Sequence, residues 1–186
     1  SWEINVLAAQ QLAEYAVKAG VKQFLYASSG SVYGVKEEPH VTEDMTLVPI
    51  SVYNKTKMVA ERVLLSYQNH MQIHCIRPAT VCGWSPRMRL DLSVNMLTLQ
   101  ALKHGCINVL GGQQTRPNIH IQDMVRVYQH FLVNSALSSG CYNSGFENIS
   151  ILDIAKEVSK KVPSEIVVTE SNDPRSYRQN SDKLLK

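Results

Sequence analysis

The stretch Lys22-Gln-Phe-Leu-Tyr-Ala-Ser28 predicts a buried β-strand, because it is a short and mainly apolar run. Before it, apolar residues recur at helical spacing over residues 2–19, and Gly20 is well placed to end that helix with a left-handed cap. A second helix is expected at 51–69 and a second strand at 72–77. Helices and strands that alternate at this spacing predict an α/β fold with a parallel sheet covered by helices.

The second half of the chain has a less regular pattern. Its predicted helices are at 91–103, 123–134 and 151–161, and its predicted strands are at 107–110, 118–121, 141–143 and 165–169. We therefore expect two parts, residues 1–83 with the regular alternation and residues 84–186 with the less regular one.

Tyr53 and Lys57 are the strongest indication of chemistry. They are four residues apart on a helix expected to start at a Ser51 cap, so their side chains lie on one face. At about 5 Å and an effective dielectric of about 20, an ammonium attracts a phenolate by roughly 3 kcal/mol, which brings the phenol pKa from about 10 towards neutrality. Ser29 adds a hydroxyl that can bond a substrate oxygen. The three residues predict a hydroxyl/carbonyl redox centre, although a Tyr-x-x-x-Lys spacing alone also arises by accident.

The surrounding motifs carry a family resemblance. They are Phe24-Leu-Tyr-Ala-Ser-Ser-Gly-Ser-Val-Tyr-Gly34, Cys75-Ile-Arg-Pro-Ala-Thr-Val-Cys-Gly83, Arg116-Pro-Asn-Ile-His-Ile-Gln-Asp123, Tyr142-Asn-Ser-Gly145 and Asp173-Pro-Arg-Ser-Tyr-Arg178. In this order they resemble the extended short-chain dehydrogenase/reductases, in particular the NAD-dependent epimerase/dehydratase family that acts on nucleotide sugars. The resemblance runs from Asn5 to about Leu185.

This resemblance implies a partial Rossmann-type parallel sheet with helices on both faces plus a small C-terminal substrate-binding lobe. Residues 1–83 would be the C-terminal part of the NAD-binding domain, and residues 84–186 would be mainly the lobe, interleaved with the last strands of the sheet. The strand and Gly-x-x-Gly-x-x-Gly turn that normally open such a sheet have no counterpart at the start of this sequence. We expect that the sequence covers part of a longer protein, the alternative being a genuine fragment.

The resemblance also implies the catalytic and cofactor-binding residues. Tyr53 would be the acid/base on a sugar hydroxyl, Ser29 would bond the reacting oxygen, and Lys57 would anchor the nicotinamide ribose. The implied cofactor is NAD, contacted by Ser28, Tyr53, Lys57 and Pro78, and it would carry the hydride. NADP stays open, because the residue that reads the adenosine ribose lies in the glycine-rich part of such domains.

Arginine and asparagine residues are the implied substrate contacts. Arg116 and Arg175 match family arginines at the nucleotide diphosphate, and guanidinium groups form paired, charge-assisted bonds with phosphate. Arg87 and Arg89 either cradle phosphate or sugar hydroxyls or are solvated surface charges. Two asparagines complete the set: Asn95 is placed by the resemblance near the diphosphate, and Asn143 either reaches the ribose or holds a turn.

Gly30 and Ser31 bear on the type of reaction. Family members that eliminate water from a sugar usually have an acidic pair directly after the catalytic hydroxyl, where this chain has Gly30 and Ser31. This favours a nucleotide-sugar epimerase or 4-dehydrogenase acting at sugar C4, with Ser31 on the substrate or on local backbone. A 4,6-dehydratase or reductase, or a non-catalytic protein that binds a nucleotide or a partner, is the alternative. Part of the chain, residues 85–95, resembles enzymes of surface polysaccharide synthesis.

Composition limits the partners and the compartment. The chain has 186 residues and a net charge of +3 without a dense basic run, which argues against nucleic acid. Four widely spaced cysteines indicate neither a metal site nor a redox dithiol and, with no apolar stretch of membrane-spanning length, favour the cytoplasm. By analogy with the family, a homodimer is expected through a four-helix bundle formed by the helices at 2–19 and 51–69.

Overall fold

The computed structural model describes residues 1–36, 38–134, 136–171 and 176–186. The helices are α1 (Ala8–Lys18), α2 (Val52–Leu65), α3 (Ser93–His104), α4 (Ile121–Val133), α5 (Ile151–Lys161) and α6 (Asp182–Leu185). The strands are β1 (Gln23–Ala27), β2 (Gln72–Pro78), β3 (Thr80–Cys82), β4 (Cys106–Leu110), β5 (Thr115–His120), β6 (Gly140–Ser144), β7 (Glu147–Ser150) and β8 (Glu165–Thr169). A π-helical turn at Glu3–Leu7 leads into α1, and a 3-10 helix at Gly30–Tyr33 follows β1. In the described parts of the chain, none of the helices has the length and apolarity needed to cross a membrane.

Strands β1, β2 and β6 form a parallel sheet in the order β1-β2-β6. One face is covered by α1 and α2 through a core that includes Ala13, Leu64 and Ile73. The opposite face is covered by α4, where Phe131 packs with residues that include Ile76 of β2. The predicted α/β class, a Rossmann-type parallel sheet with helices on both faces, is therefore confirmed.

Two smaller sheets complete the fold. Strand β5 lies between β3, which is parallel to it, and β7, which is antiparallel. Strands β4 and β8 form a parallel pair, and a separate core joins them to α3 and α5. Because β6 comes from the second half of the chain but pairs with β2, the two halves interleave in the main sheet.

Several boundaries differ from the sequence predictions. The helix predicted to reach residue 69 ends at Leu65, and the helix predicted to start at 123 starts at Ile121. Strands β3 and β7 were not predicted, because segments of three and four residues are too short to show a hydrophobic period. They are defined instead by their pairing with β5.

The two predicted capping residues, Gly20 and Ser51, are confirmed. Gly20 has φ +71°, and the amide of the next residue, Val21, donates to the carbonyl of Ala16 at 3.0 Å, which satisfies a terminal helix acceptor. At the start of α2, the Ser51 hydroxyl accepts a hydrogen bond from the Asn54 amide at 3.1 Å. This cap begins α2 two residues before Tyr53 and so sets the helix face on which Tyr53 lies.

Gly34 closes the 3-10 helix in a backbone conformation that glycine alone tolerates well, with φ 71° and ψ −158°. A β-carbon at this position would overlap the backbone carbonyl oxygen of Val48. The preceding residue, Tyr33, is fully buried and accepts a hydrogen bond from the Val48 amide at 3.3 Å. Gly34 therefore permits the close approach of the loop that leads into α2.

We predict that Gly34→Ala lowers the free energy of unfolding by about 3 kcal/mol or more, through backbone strain plus steric overlap. Gly20→Ala is the matched control, because Gly20 also has φ +71° but a β-carbon there meets open space. Its expected cost is about 1 kcal/mol. Chemical denaturation of both variants measures the difference, and equal losses would contradict the predicted overlap.

Candidate active site

A cleft of about 670 Å³ opens at the carboxyl ends of β1 and β2. Its walls include Ser29, Ser31, Tyr53, Pro78, Asn95 and Arg116, so most of the residues that the sequence singled out meet in one place. The carboxyl end of parallel strands is where doubly wound α/β folds bind their ligands.

Ser29 and Ser31 form a chain of hydroxyl groups that ends on α2. Ser29 caps the 3-10 helix by accepting a hydrogen bond from the Ser31 amide at 3.3 Å. The two hydroxyl oxygens are 2.8 Å apart, and the Ser31 hydroxyl donates to Asn54 Oδ1 at 2.8 Å. Because Ser31 has one hydroxyl proton and gives it to Asn54, Ser29 is the donor to Ser31. The hydrogen bonds of the Ser31 hydroxyl are thus to side chains at the cleft wall.

Tyr53 and Lys57 lie on the predicted common face of α2. Tyr53 is 46% exposed and lines the cleft. The Lys57 ammonium is 5.7 Å from the centre of the Tyr53 ring and 4.8 Å from that of Tyr26, and it donates to the Ala27 carbonyl at 2.9 Å. Burial lowers the Lys57 pKa, and the charge of Glu61 partly offsets this effect. Lys57 therefore lies behind Tyr53, at the end of β1.

Sequence reasoning missed a buried ion pair beneath the cleft. Glu61 and Arg77 form two hydrogen bonds, Nε to Oε1 at 2.9 Å and Nη2 to Oε2 at 2.8 Å, and their side chains are 2% and 4% exposed. Burial opposes the charge on Arg77, but its hydrogen bonds to Glu61 and the charge of Glu61 outweigh this, so the pKa of Arg77 is raised. The available signal was spacing: Glu61 continues the four-residue series Tyr53, Lys57, Glu61 on one helix face.

The same network reaches the 3-10 helix. Arg77 Nη1 donates to the Tyr33 hydroxyl at 2.7 Å, and that hydroxyl donates to Asn143 Oδ1 at 2.8 Å. Burial raises the pKa of Tyr33 to about 12 although the charge and hydrogen bond of Arg77 act in the opposite direction. Tyr33 is therefore a neutral donor at physiological pH.

The polar side-chain groups of Ser28 and Asn143 form hydrogen bonds within the protein. Ser28 borders the cleft, but its hydroxyl donates to Glu61 Oε1 at 2.5 Å. The structure does not bring Asn143 to the cleft: it is fully buried, and its amide nitrogen donates to the carbonyls of Val41 and Asn180. The contacts of Asn143 agree with the alternative that it holds a turn.

Asn95 organises the loop that carries the arginine pair. Its Oδ1 accepts from the Gly83 amide at 3.0 Å and its Nδ2 donates to the Arg89 carbonyl at 2.9 Å. Arg87 and Arg89 both line the cleft, and Arg89 makes an exposed ion pair with Asp91 at 2.6 Å. Asn95 thus holds the loop between β3 and α3 at two points, Gly83 and Arg89.

Arg116 enters the cleft from β5. Its guanidinium lies 5.0 Å from the centre of the Tyr177 ring, and Nη1 donates to the Thr115 carbonyl at 3.0 Å. Tyr177 lines the cleft as well, and sequence reasoning did not single it out. Arg175, the other predicted diphosphate contact, lies outside the described residues.

Gln179 lies behind Gly30 and is almost fully buried. Its Nε2 donates to the Arg77 carbonyl at 2.7 Å and to Asn143 Oδ1 at 3.2 Å. A β-carbon on Gly30 would lie 2.7 Å from this nitrogen. The C-terminal segment therefore backs the wall of the cleft beside Ser29.

Comparison with known proteins finds a matching family and a curated relative. Residues 1–145 match the model of the NAD dependent epimerase/dehydratase family. The uncharacterized UDP-glucose epimerase YtcB of Bacillus subtilis (strain 168) is 30% identical over 152 residues, which cover 81% of this chain and 48% of YtcB. The chain spans about half the length of this curated relative.

Two solved structures with bound ligands are similar over nearly the whole chain. MoeE5 in complex with UDP-glucuronic acid and NAD has a TM-score of 0.84 and 28% identity, covering 97% of this chain and 62% of that chain. UDP-glucuronic acid 4-epimerase from Bacillus cereus, in complex with UDP-glucuronic acid and NAD, has a TM-score of 0.81 and 30% identity, covering 97% of this chain and 59% of that chain. From the match over residues 1–145 and this structural similarity, the chain belongs to the NAD dependent epimerase/dehydratase family.

Proposed function

We propose that the protein is an NAD-dependent nucleotide-sugar epimerase or 4-dehydrogenase acting at sugar C4. The observation that carries the proposal is the placement of Ser29 and Tyr53 in one cleft with the Lys57 ammonium 5.7 Å from the Tyr53 ring. A hydroxyl donor, a phenol and an ammonium are the groups needed to move a proton to or from a sugar hydroxyl.

Each of these residues has a distinct task in the proposed reaction. Tyr53 takes the proton of the C4 hydroxyl as the C4 hydrogen leaves as hydride, and it returns the proton when the keto group is reduced. When the sugar is bound, the Ser29 hydroxyl turns its proton from Ser31 to the same oxygen, and Lys57 stabilises the phenolate form of Tyr53. NAD supplies the hydride acceptor and donor. Return of hydride to the opposite face gives the epimer, whereas release of the keto sugar gives net oxidation.

The cleft has features that fit a nicotinamide nucleotide. It lies at the carboxyl ends of parallel strands, the usual position of a dinucleotide in this type of fold. Pro78 and Tyr53 would contact the cofactor at the cleft wall, and Lys57, held at the Ala27 carbonyl, would bind ribose hydroxyls. Ser28 would contribute its backbone, since its hydroxyl is bonded to Glu61.

The wall next to Ser29 argues against elimination of water. A 4,6-dehydratase needs an acid and a base near the sugar, whereas Gly30 and Ser31 follow the catalytic hydroxyl here. Gln179 fills the space that a side chain at position 30 would enter, and two buried hydrogen bonds hold it there. This supports the use of the site for oxidation and reduction alone.

Cationic side chains in the cleft wall support an anionic substrate. Arg87 and Arg116 line the cleft, together with Asn95 in the first turn of α3. These groups suit a nucleotide diphosphate. The names of the relatives favour a UDP-sugar, because YtcB is named a UDP-glucose epimerase and the B. cereus enzyme was solved with UDP-glucuronic acid. We assign the reaction to surface polysaccharide synthesis on the resemblance of residues 85–95, and to the cytoplasm on the widely spaced cysteines.

We also propose that the protein forms a homodimer through α1 and α2. The first helical segment exposes large apolar residues, namely Trp2, Ile4, Leu7, Leu12 and Tyr15. Large apolar groups exposed on neighbouring helical turns favour burial against a second copy. The neighbouring helix α2 lies beside this segment and would complete a four-helix arrangement in the pair.

Tyr53→Phe in the full-length protein is expected to reduce turnover by about 10²-fold or more while leaving nucleotide affinity near wild type, because only the proton carrier is removed. Turnover is measured with UDP-, GDP- and dTDP-sugars, with nicotinamide absorbance reporting net oxidation and product analysis reporting epimers. Tyr128→Phe, on α4, is the control and should keep full activity. Retained activity in Tyr53→Phe would remove Tyr53 from the mechanism.

Arg116→Ala is expected to weaken nucleotide-sugar binding by about 10- to 100-fold, because charge-assisted bonds to phosphate are lost. Isothermal titration with the UDP-sugar measures the change. Arg126→Ala is the control, since Arg126 forms an exposed ion pair with Asp123 on α4. If Arg116→Ala binds as tightly as wild type, the position is structural.

Leu12→Asp is expected to convert the dimer to a monomer, because it places a charge in the apolar face. Light scattering coupled to size exclusion measures the mass. Leu132→Asp on α4 is the control: Leu132 is 64% exposed and Leu12 is 59% exposed, but Leu132 lies outside the proposed interface. A monomeric wild type, or equal disruption by both changes, would overturn the dimer.

A further inference from the structure

Glu61 is a buried carboxylate with partners on two strands. It is 1% exposed on α2, and its Oε1 accepts both the Ser28 hydroxyl at 2.5 Å and Arg77 Nε at 2.9 Å. Ser28 directly follows β1, and Arg77 belongs to β2. Glu61 Oε1 on α2 is therefore hydrogen-bonded to residues at the ends of both β1 and β2, below the cleft.

Ser28 is held from two directions. Its amide donates to the Ile76 carbonyl at 2.8 Å, which extends the pairing of β1 with β2, and its hydroxyl is held by Glu61. The chain leaves the strand at the next residue: Ser29 has extended backbone angles, φ −159° and ψ 139°, and the 3-10 helix starts at Gly30. Because Ser28 directly precedes Ser29, the two hydrogen bonds of Ser28 fix the point from which the backbone continues to Ser29.

A second anchor follows Ser29 on the same helix. The Ser31 hydroxyl donates to Asn54 Oδ1 at 2.8 Å, so the residues at 28 and 31 are both bonded to α2. Tyr53 and Lys57 are on that helix too, and Glu61 follows Lys57 by four residues. Ser29 therefore lies between two side-chain anchors on the element that carries Tyr53.

We propose that Glu61 is a positioning residue that sets the separation between the Ser29 hydroxyl and the Tyr53 phenol by fixing Ser28 to α2. This rests on the proposed function for its catalytic consequence, but the positioning itself is a property of the chain. Arg77 holds Glu61 in place with two hydrogen bonds. The rigid link matters because small displacements of reacting groups cost large factors in rate.

Ser28→Ala is the sharpest test, because it removes only the hydroxyl bond to Glu61 and leaves the Glu61–Arg77 pair intact. We expect kcat of the full-length protein to fall about tenfold at unchanged KM for the nucleotide sugar. Amide hydrogen exchange at residues 29–32 should become about tenfold faster, as the segment loses one anchor. A residue that served stability alone would lower the melting temperature without this change in kcat.

Ser144→Ala is the matched control. Ser144 is a fully buried serine at the end of β6, and its hydroxyl contacts Met124 Sδ at 3.6 Å. This variant should keep wild-type kcat and wild-type exchange at residues 29–32. The proposal is overturned if Ser28→Ala keeps wild-type kcat, or if Ser144→Ala lowers kcat and speeds exchange as much as Ser28→Ala does.

Glu61→Gln supplies a second variant, since it keeps an oxygen for Ser28 but removes the charge opposite Arg77. If Glu61→Gln folds, amide exchange at residues 29–32 should stay as slow as in the wild type. If Glu61→Gln does not fold, the Ser28→Ala variant alone tests the positioning.

The two proposals can fail separately. If the wild-type protein turns over none of the nucleotide sugars, the proposed function fails, but the exchange measurement still tests the positioning. Faster exchange in Ser28→Ala then supports it, and unchanged exchange overturns it.

Discussion

The ion pair between Glu61 and Arg77 is the constraint on which the arrangement of the cleft depends. An intact buried pair adds little net stability, because the desolvation of both charges offsets their attraction, whereas removal of one partner costs about 3–5 kcal/mol. Its effect is therefore geometric. It requires α2 and β2 to meet in one relative position, and through Ser28 and Tyr33 it includes the end of β1 and the 3-10 helix in the same unit.

The parts of the fold that follow from local pattern could be predicted from the sequence. The alternation of helix and strand, the Gly20 and Ser51 helix ends and the parallel sheet depend on periodicity and capping, which are properties of neighbouring residues. The common face of Tyr53 and Lys57 is equally local, because a four-residue offset on a helix decides it. The placement of Ser29 and Tyr53 in one cleft follows from these elements, since only the 3-10 helix and one loop separate β1 from α2.

The remaining features depend on residues far apart in the chain. No local sequence pattern distinguishes Glu61 and Arg77 from charged residues on the surface. Their burial and their pairing can be seen only in the structure. Asn143 was predicted as a substrate contact by resemblance, but its amide is used by carbonyls at positions 41 and 180, which no local pattern connects. Strands β3 and β7 were missed for a related reason, because their existence depends on the partner strand β5.

Gln179 has a consequence for the order in which the site forms during synthesis. Its hydrogen bond to the Arg77 carbonyl joins residues 102 positions apart. A chain still attached to the ribosome can pair β1 with β2 early, but the wall behind Gly30 is completed only after residue 179 has emerged from the exit tunnel. Contacts of such large sequence separation form late in folding. A nascent chain that pairs β1 with β2 before residue 179 has emerged therefore has a pocket beside Ser29 that is still open on its inner side.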